Sequence, residues 1–144
     1  MKKGFYAIGI YETKETENVG TLWRSAMNFG ADYIFTIGAR YKKQRTDTTK
    51  SWRNIPLFAF ENFEDFVAHV PKDAELIFVE QTEVSMNIKD FKHPKRAVYI
   101  LGSEDYGIPK ELMVGHKQVE INTPMCLNVA TAGSIVMFDR NNKL

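Results

Sequence analysis

Three short clusters in the sequence combine polar side chains with glycines at spacings that suit ligand binding. The first contains Asn18, Gly20 and Arg24. Asparagine is a favoured cap at a helix start, where free N–H groups attract anions, so Asn18 and Arg24 are placed to contact a phosphate or a sugar. A plain helix cap followed by an exposed arginine is the alternative, and the residues alone leave both open.

The second cluster runs from Leu101 to Ile108 and follows an apolar, strand-like stretch. Gly102 and Gly107 indicate a tight turn whose backbone can approach a ligand closely, because glycine has no Cβ. Such a turn would hold Glu104 at the end of a strand. A structural joint, with acidic groups favouring the start of the next helix, fits the same residues.

The third cluster runs from Asn122 to Gly133, where a polar turn leads into a helix of small residues capped by Asn128. Small residues between Ala130 and Ser134 allow close packing, either on a partner chain or on this chain. No histidine lies near Cys126 in the sequence, so we interpret it as a small buried core thiol and not as a nucleophile.

The elements that must position these clusters alternate between strands and helices. Apolar runs rich in β-branched and aromatic residues predict the strands, and three- and four-residue spacing predicts the helices. The predicted strands are Phe5–Ile10, Tyr33–Ile37, Leu57–Phe60, Glu75–Val79, Ala97–Leu101 and Gln118–Ile121. The predicted helices run from about Val19 to Gly30, from Asn62 to Val70, from Pro109 to Met113 and from about Asn128 to Arg140.

This alternation predicts an α/β fold with a mostly parallel sheet and helices on both faces. In such sheets ligands bind at the carboxyl ends of the strands, where all three clusters fall. A length of 144 residues predicts a single domain over residues 1–144. With 44% hydrophobic and 26% charged residues, intrinsic disorder is excluded.

Several classes of function are not supported. There is no G-x-G-x-x-G after the first strand and no Lys-Ser/Thr pair after Gly107, which argues against standard dinucleotide and P-loop sites. The histidines lack metal-like spacing, so no metal is expected. No long apolar run or signal peptide is evident and there is a single cysteine, so we expect no membrane association and a cytoplasmic location.

One segment is strongly basic although the net charge is only +1. Residues 40–53 hold six basic side chains against one acidic, together with Tyr41 and Trp52, whose rings can stack on unpaired bases. The segment predicts binding to a polyanion, with a solvated loop as the alternative. A second basic group is interpreted as a solvated loop and consists of Lys92, His93, Lys95 and Arg96.

In this order and at these spacings, the three clusters resemble the motifs of the SpoU/TrmH family of RNA ribose methyltransferases, in the SPOUT superfamily. The resemblance covers residues 8–138. The family's N-x-G-x-x-x-R element corresponds to Asn18, Gly20 and Arg24, its L-G-x-E-x-x-G-[IL] element to Leu101, Gly102, Glu104, Gly107 and Ile108, and its S-L-N-V-S element to Cys126, Leu127, Asn128, Val129 and Ala130.

The resemblance implies a SPOUT-type sheet whose C-terminal segment forms a trefoil knot, a homodimer, and S-adenosylmethionine as the cofactor. It implies cofactor binding, largely by backbone groups, at Val79, Glu80, Leu101, Gly102, Gly107, Ile121, Cys126 and Leu127. It also implies an RNA substrate, with tRNA as the first candidate. The candidate RNA-binding residues are Arg40, Lys42, Lys43, Arg45, Trp52 and Arg53.

For catalysis, the resemblance assigns Arg24 to the ribose 2′-hydroxyl and the adjoining phosphate, with Asn18, Glu104 and Asn128 as supporting polar groups. Arginine has a pKa above about 12 and is a poor base, so we expect Arg24 to stabilise the developing alkoxide.

Cys126 and Ala130 replace the family's two serines, and a thiol is a weaker hydrogen-bond donor than a hydroxyl. A non-catalytic RNA-binding dimer that keeps the fold is therefore the main alternative function. A third hypothesis is an α/β domain that binds another nucleotide.

Overall fold

Parallel strands and connecting helices alternate through the part of the chain that the computed structural model describes, which is residues 4–39, 55–103, 105 and 107–144. Two sets of predicted site residues lie outside this part. They are the basic-segment residues Arg40, Lys42, Lys43, Arg45, Trp52 and Arg53, and the acidic residue Glu104.

Within the described residues, seven strands form one parallel sheet in the order β3-β2-β1-β6-β4-β7-β5. The strands are β1 Phe5–Tyr11, β2 Tyr33–Ile37, β3 Leu57–Phe60, β4 Glu75–Val79, β5 Met86–Asn87, β6 Arg96–Gly102 and β7 Lys117–Glu120. The helices are α1 Thr16–Phe29, α2 Phe63–His69, α3 Lys110–Met113 and α4 Val129–Lys143, with a short 3-10 turn at Ile88–Asp90.

The predicted α/β class and the parallel sheet are confirmed, with shifts of one or a few residues at element ends. β5 was missed because two residues are too few to show a pattern. Gly30 follows α1 with a φ of +85°, the left-handed conformation that glycine adopts without strain.

The trefoil knot stays a prediction. Among the described residues, no helix has the length and apolar character needed to cross a bilayer.

Helices cover both faces of the sheet, and each face has its own core. Buried residues of α1 and α4 pack with one face, which includes Ile8 and Leu101. The other face is rich in aromatic residues, and Phe35 stacks on Phe66 of α2 with 4.9 Å between ring centroids. This second core combines such ring contacts with branched side chains, among them the fully buried Ile37 and Ile100.

The small residues of α4 serve close packing within this chain. A Cβ on Gly133 would lie 2.6 Å from Leu22 of α1 and 3.0 Å from Leu101 of β6. One residue on, the Ser134 hydroxyl donates to the Ser25 hydroxyl of α1 at 2.9 Å. The close approach lets α4 rest against β6 at the edge where the second and third clusters meet.

At the opposite end of α4, Arg140 is buried with 1% of its surface exposed. Its guanidinium donates to the carbonyl oxygens of Pro94 at 2.6 Å and Lys95 at 2.9 Å, and to the Tyr99 hydroxyl at 3.1 Å. It also lies over the ring of Tyr6, 4.8 Å from the centroid. This side chain therefore fastens the end of α4 to the start of β6.

His93 belongs to the same buried group, so interpreting it as part of a solvated loop was wrong. Its Nδ1 lies 2.7 Å from the Tyr99 hydroxyl and its Nε2 lies 2.7 Å from an Asp139 oxygen. The sequence did not predict the burial of His93, because His93 lies among lysines and its hydrogen-bond partners are distant in the sequence. Arg96, from the same basic group, is exposed and pairs with Asp73 at 2.7 Å.

Replacing Arg140 by methionine should destabilise the protein strongly. Arg140→Met removes the donors to the buried Pro94 and Lys95 carbonyls while keeping an unbranched apolar chain. We expect a loss of about 3 kcal/mol in the free energy of unfolding, measured by urea denaturation. Lys117→Met is the matched control: it breaks an exposed ion pair with Glu75 and should change stability by less than about 1 kcal/mol. Equal effects of the two variants would contradict the role of Arg140.

Stability should also depend on pH through His93. Burial lowers the pKa of His93, as do the charges of Arg140 and Lys143, against the opposing effect of Asp139. The unfolded chain therefore binds a proton more readily than the folded protein does, so the free energy of unfolding should fall as the pH drops below about 6.5.

Urea denaturation between about pH 5 and pH 8 measures this slope. The His93→Gln variant should show a shallower decline than the wild type. His116→Gln, at an exposed position, should keep the wild-type slope. If the wild type and both variants showed the same dependence of unfolding free energy on pH, His93 would not contribute to that dependence.

Candidate active site

A pocket of about 310 Å³ lies where β4, β6 and β7 end at the carboxyl edge of the sheet. Register explains why these ends meet: Val79 pairs with Leu101 on one side and with Val119 on the other. The turn before α4 closes the pocket. The residues that line it are Val79, Glu80, Gln81, Leu101, Gly102, Ser103, Gly107, Glu120, Ile121, Thr123, Cys126, Leu127, Val129 and Ala132.

All of the predicted cofactor-binding residues line this one pocket. They are Val79, Glu80, Leu101, Gly102, Gly107, Ile121, Cys126 and Leu127. Sequence reasoning missed Gln81, Ser103, Glu120, Thr123, Val129 and Ala132. All of the missed residues except Ala132 lie within two positions of a predicted one, so the predicted residues themselves were the available signal. Ala132 lies on α4, and its approach to the pocket depends on the packing of that helix.

The turn after β6 depends on its two glycines. The Gly107 N–H donates to the Ser103 carbonyl at 3.1 Å, and Gly107 has a φ of +64°. A Cβ on Gly102 would collide with the Glu80 carboxylate and would lie 3.2 Å from the Gly107 Cα. The glycines therefore keep backbone at the pocket wall and leave room for the Glu80 side chain beneath the turn.

Two buried polar atoms of pocket residues have no hydrogen-bond partner among the described residues: Glu80 Oε2 and the Ser103 hydroxyl oxygen. Burial raises the pKa of Glu80, partly offset by hydrogen bonds that its carboxylate accepts from the Ile108 and Gln81 N–H groups. Unpartnered buried polar atoms are uncommon, and a bound ligand is one ordinary way to satisfy them.

Asn128 and Asn18 join the starts of α4 and α1. The Asn128 Oδ1 accepts from the N–H groups of Ala130 at 3.0 Å and Thr131 at 3.2 Å, which confirms it as the cap of α4. Its Nδ2 donates to the Asn18 Oδ1 at 2.9 Å. Asn18 was wrongly predicted as a cap: α1 begins two residues earlier at Thr16, and Asn18 is buried within its first turn.

A smaller recess adjoins the main pocket, since Ser103 and Val129 line both. Asn18 also lines this recess, and Lys14 forms an ion pair with Asp105 at its rim. The recess therefore connects the first cluster to the second.

Arg24 lines neither cavity and is exposed on α1. Six residues at 100° each place it about 240° around the helix from Asn18, so the two side chains leave α1 in different directions. The structure brings Asn18 and Asn128 together but does not bring Arg24 to them.

Cys126 is exposed and lines the pocket, so its prediction as a buried core thiol was wrong. Residue-type statistics failed because the turn from β7 to α4 lies at the open edge of the sheet and not in the core. Ala130, the other departure from the family pattern, is fully buried.

In the described part of the chain, no group of three or more His, Cys, Asp or Glu residues could hold a metal ion.

Solved structures that this chain resembles include RNA methyltransferases and a tRNA-modifying enzyme. A protein whose structure concerns 2-OH methylation of C/U34 on tRNA matches with a TM-score of 0.84 at 16% identity, over 98% of this chain and 97% of that one. An AdoMet-bound rRNA methyltransferase from Sinorhizobium meliloti gives 0.86 at 23% identity, over 99% of this chain. A TrmH/SpoU tRNA modifying enzyme from A. aeolicus gives 0.81 at 17% identity, over 99% of this chain and 76% of that one.

The chain spans only 57% of the Sinorhizobium protein, and at these identities the likeness establishes the fold. No curated protein matches the sequence. The model of the SpoU rRNA Methylase family, however, matches residues 6–138, which is nearly the whole chain and includes all three clusters. On this evidence the chain belongs to the SpoU rRNA methylase family.

Proposed function

We propose that the protein methylates the 2′-hydroxyl of a ribose in tRNA. Family membership makes it an RNA methyltransferase that uses S-adenosylmethionine. The observation that carries the proposal is that residues of the second and third motifs line one pocket at the carboxyl ends of β4, β6 and β7. The choice of tRNA is supported by the relative described for C/U34 of tRNA, which matches this chain over almost the full length of both.

The pocket fits S-adenosylmethionine by its size, its exposed backbone and its unpartnered polar atoms. A cavity of about 310 Å³ is at the lower end of the range for small-molecule sites. The glycines at Gly102 and Gly107 present backbone groups, and apolar side chains such as Leu101 and Leu127 face the same space. When bound, the cofactor supplies a methyl group on a sulfonium for transfer to an oxygen.

We assign the ribose to the mouth of the pocket next to the recess, because the recess itself, at about 20 Å³, holds little more than a water molecule. Asn18 lines this recess and Asn128 holds Asn18 in place, so the pair can orient a sugar against the cofactor site. Correct placement of donor and acceptor is a major part of catalysis for such a displacement.

Arg24 is proposed to act in the second subunit of a homodimer. Its exposure on α1, outside the pocket and the adjoining recess, supports a role across an interface. There the guanidinium would hold the phosphate next to the target ribose and stabilise the alkoxide as the 2′-hydroxyl loses its proton. The role of Glu104, RNA binding by the segment 40–53, the single-domain organisation and the cytoplasmic location stay predictions.

Replacing Arg24 by alanine should greatly reduce methylation without weakening the binding of S-adenosylmethionine. We expect methyl transfer from labelled S-adenosylmethionine to unmodified tRNA transcripts to fall by about 10²–10³-fold, because charge stabilisation of the alkoxide is lost. Calorimetric binding of S-adenosylmethionine should be unchanged.

Asn28→Ala, an exposed change on the same helix, is the control and should keep full activity. Wild-type rates in Arg24→Ala would remove Arg24 from the mechanism. Wild-type protein that binds RNA but methylates no RNA pool would favour the non-catalytic RNA-binding dimer. The replacement of the family's serine by Cys126 in the pocket wall would then be the sequence change that accompanies the loss of activity.

Asn128 should have a structural role and a functional role that can be separated. Asn128→Ala removes the cap of α4 and should cost about 1 kcal/mol of unfolding free energy. Asn128→Ser keeps a capping oxygen but is too short to reach Asn18, so it should restore stability without restoring methylation. Urea denaturation and the methylation assay measure the two effects. Recovery of both in the serine variant would show that Asn128 acts only as a cap.

A further inference from the structure

Two carboxylates are the charged side chains that line the cofactor pocket among the described residues, those of Glu80 and Glu120. Glu80 directly follows β4, and its N–H donates to the Val119 carbonyl at 3.0 Å, whereas Glu120 ends β7. The Glu80 carboxylate lies beneath Gly102 and Gly107, and the Glu120 carboxylate contacts Ser85 and Gln81. Together they give the pocket a negative potential.

The chain supplies little to offset this pair. The residues that line the pocket include no lysine, arginine or histidine in the part of the chain that the structure describes. Glu120 accepts hydrogen bonds from the Ser85 hydroxyl at 2.7 Å and from the Gln81 side-chain amide at 3.4 Å, which are neutral groups.

Glu80 is held in a way that keeps one oxygen uncommitted. Its carboxylate accepts from backbone N–H groups, yet Oε2 is buried beneath Gly102 and Gly107 with no partner among the residues that the structure describes. Burial raises the pKa of Glu80, which expresses the cost of holding a negative charge at this place. A cation bound in the pocket would relieve that cost.

S-adenosylmethionine carries such a cation and its product does not. The sulfonium has one positive charge more than the thioether of S-adenosylhomocysteine, and the two molecules are otherwise alike apart from the methyl group. We propose that Glu80 and Glu120 are specificity-determining residues that make the pocket prefer the positively charged methyl donor over the neutral product. The inference rests on the proposed function, because it takes S-adenosylmethionine as the ligand of this pocket.

This preference has a direct use in turnover. Loss of the methyl group removes the charge that the two carboxylates attract, so the product leaves a site that has become less favourable for it. Attraction of one unit charge by the two pocket carboxylates would be worth about tenfold or more in affinity at the effective dielectric constant of protein sites.

The test is calorimetric binding of three ligands at about pH 8, where carboxyl groups ordinarily carry their charge. The ligands are S-adenosylmethionine, S-adenosylhomocysteine and sinefungin, an analogue with an ammonium in place of the sulfonium. The wild type should bind both cationic ligands about tenfold more tightly than S-adenosylhomocysteine.

Glu80→Gln and Glu120→Gln should each reduce the preference for the cationic ligands. The double variant should bind the cationic ligands and S-adenosylhomocysteine with nearly equal affinity. Affinity for S-adenosylhomocysteine should change little, which also reports that the variants are folded. Glu83→Gln is the matched control, since Glu83 is exposed on the loop after β4 and does not line the pocket.

Equal wild-type affinities for the three ligands would overturn this inference and leave the proposed function standing. A preference that survives in the double variant would also overturn it. Failure of the wild type to bind any of the three would refute the proposed cofactor site, and this inference with it.

Discussion

The register between β4, β6 and β7 is the constraint on which the candidate site depends. Because Val79 aligns with both Leu101 and Val119, three strands end at the same height and their following loops converge. A shift of one residue in either pairing would turn Glu80 and Gly102 to the other face of the sheet and separate the loops that line the pocket. The close seat of Gly133 on Leu101 holds α4 against this edge.

The two ends of the sheet have different tasks. At the amino end of β6, Arg140 and His93 are buried with nearly all of their polar groups engaged, and they bind α4 to the strand. At the carboxyl end, Glu80 and Ser103 keep buried atoms without partners among the described residues. The amino end of β6 is therefore closed by hydrogen bonds, whereas the pocket edge keeps buried polar atoms that the described residues leave unpaired.

Sequence patterns predicted what depends on neighbouring residues and missed what depends on distant ones. Periodicity located the strands, and strand ends located the pocket residues, because parallel strands must end together. The cap assigned to Asn18 was wrong by three residues, because Glu15 precedes α1 and Asn18 instead bonds to Asn128, 110 positions away. The burial of His93 and the exposure of Cys126 are likewise set by tertiary packing that residue type does not reveal.

The position of β1 in the sheet affects how the chain can fold. β1 pairs with β6, so Phe5 at the start of the chain lies beside Arg96. The centre of the sheet therefore cannot close until residues 5–102 have been synthesised, and contacts between residues so far apart in the sequence slow folding. Because β7 and α4 come later still, the walls of the pocket are complete only when both have been added.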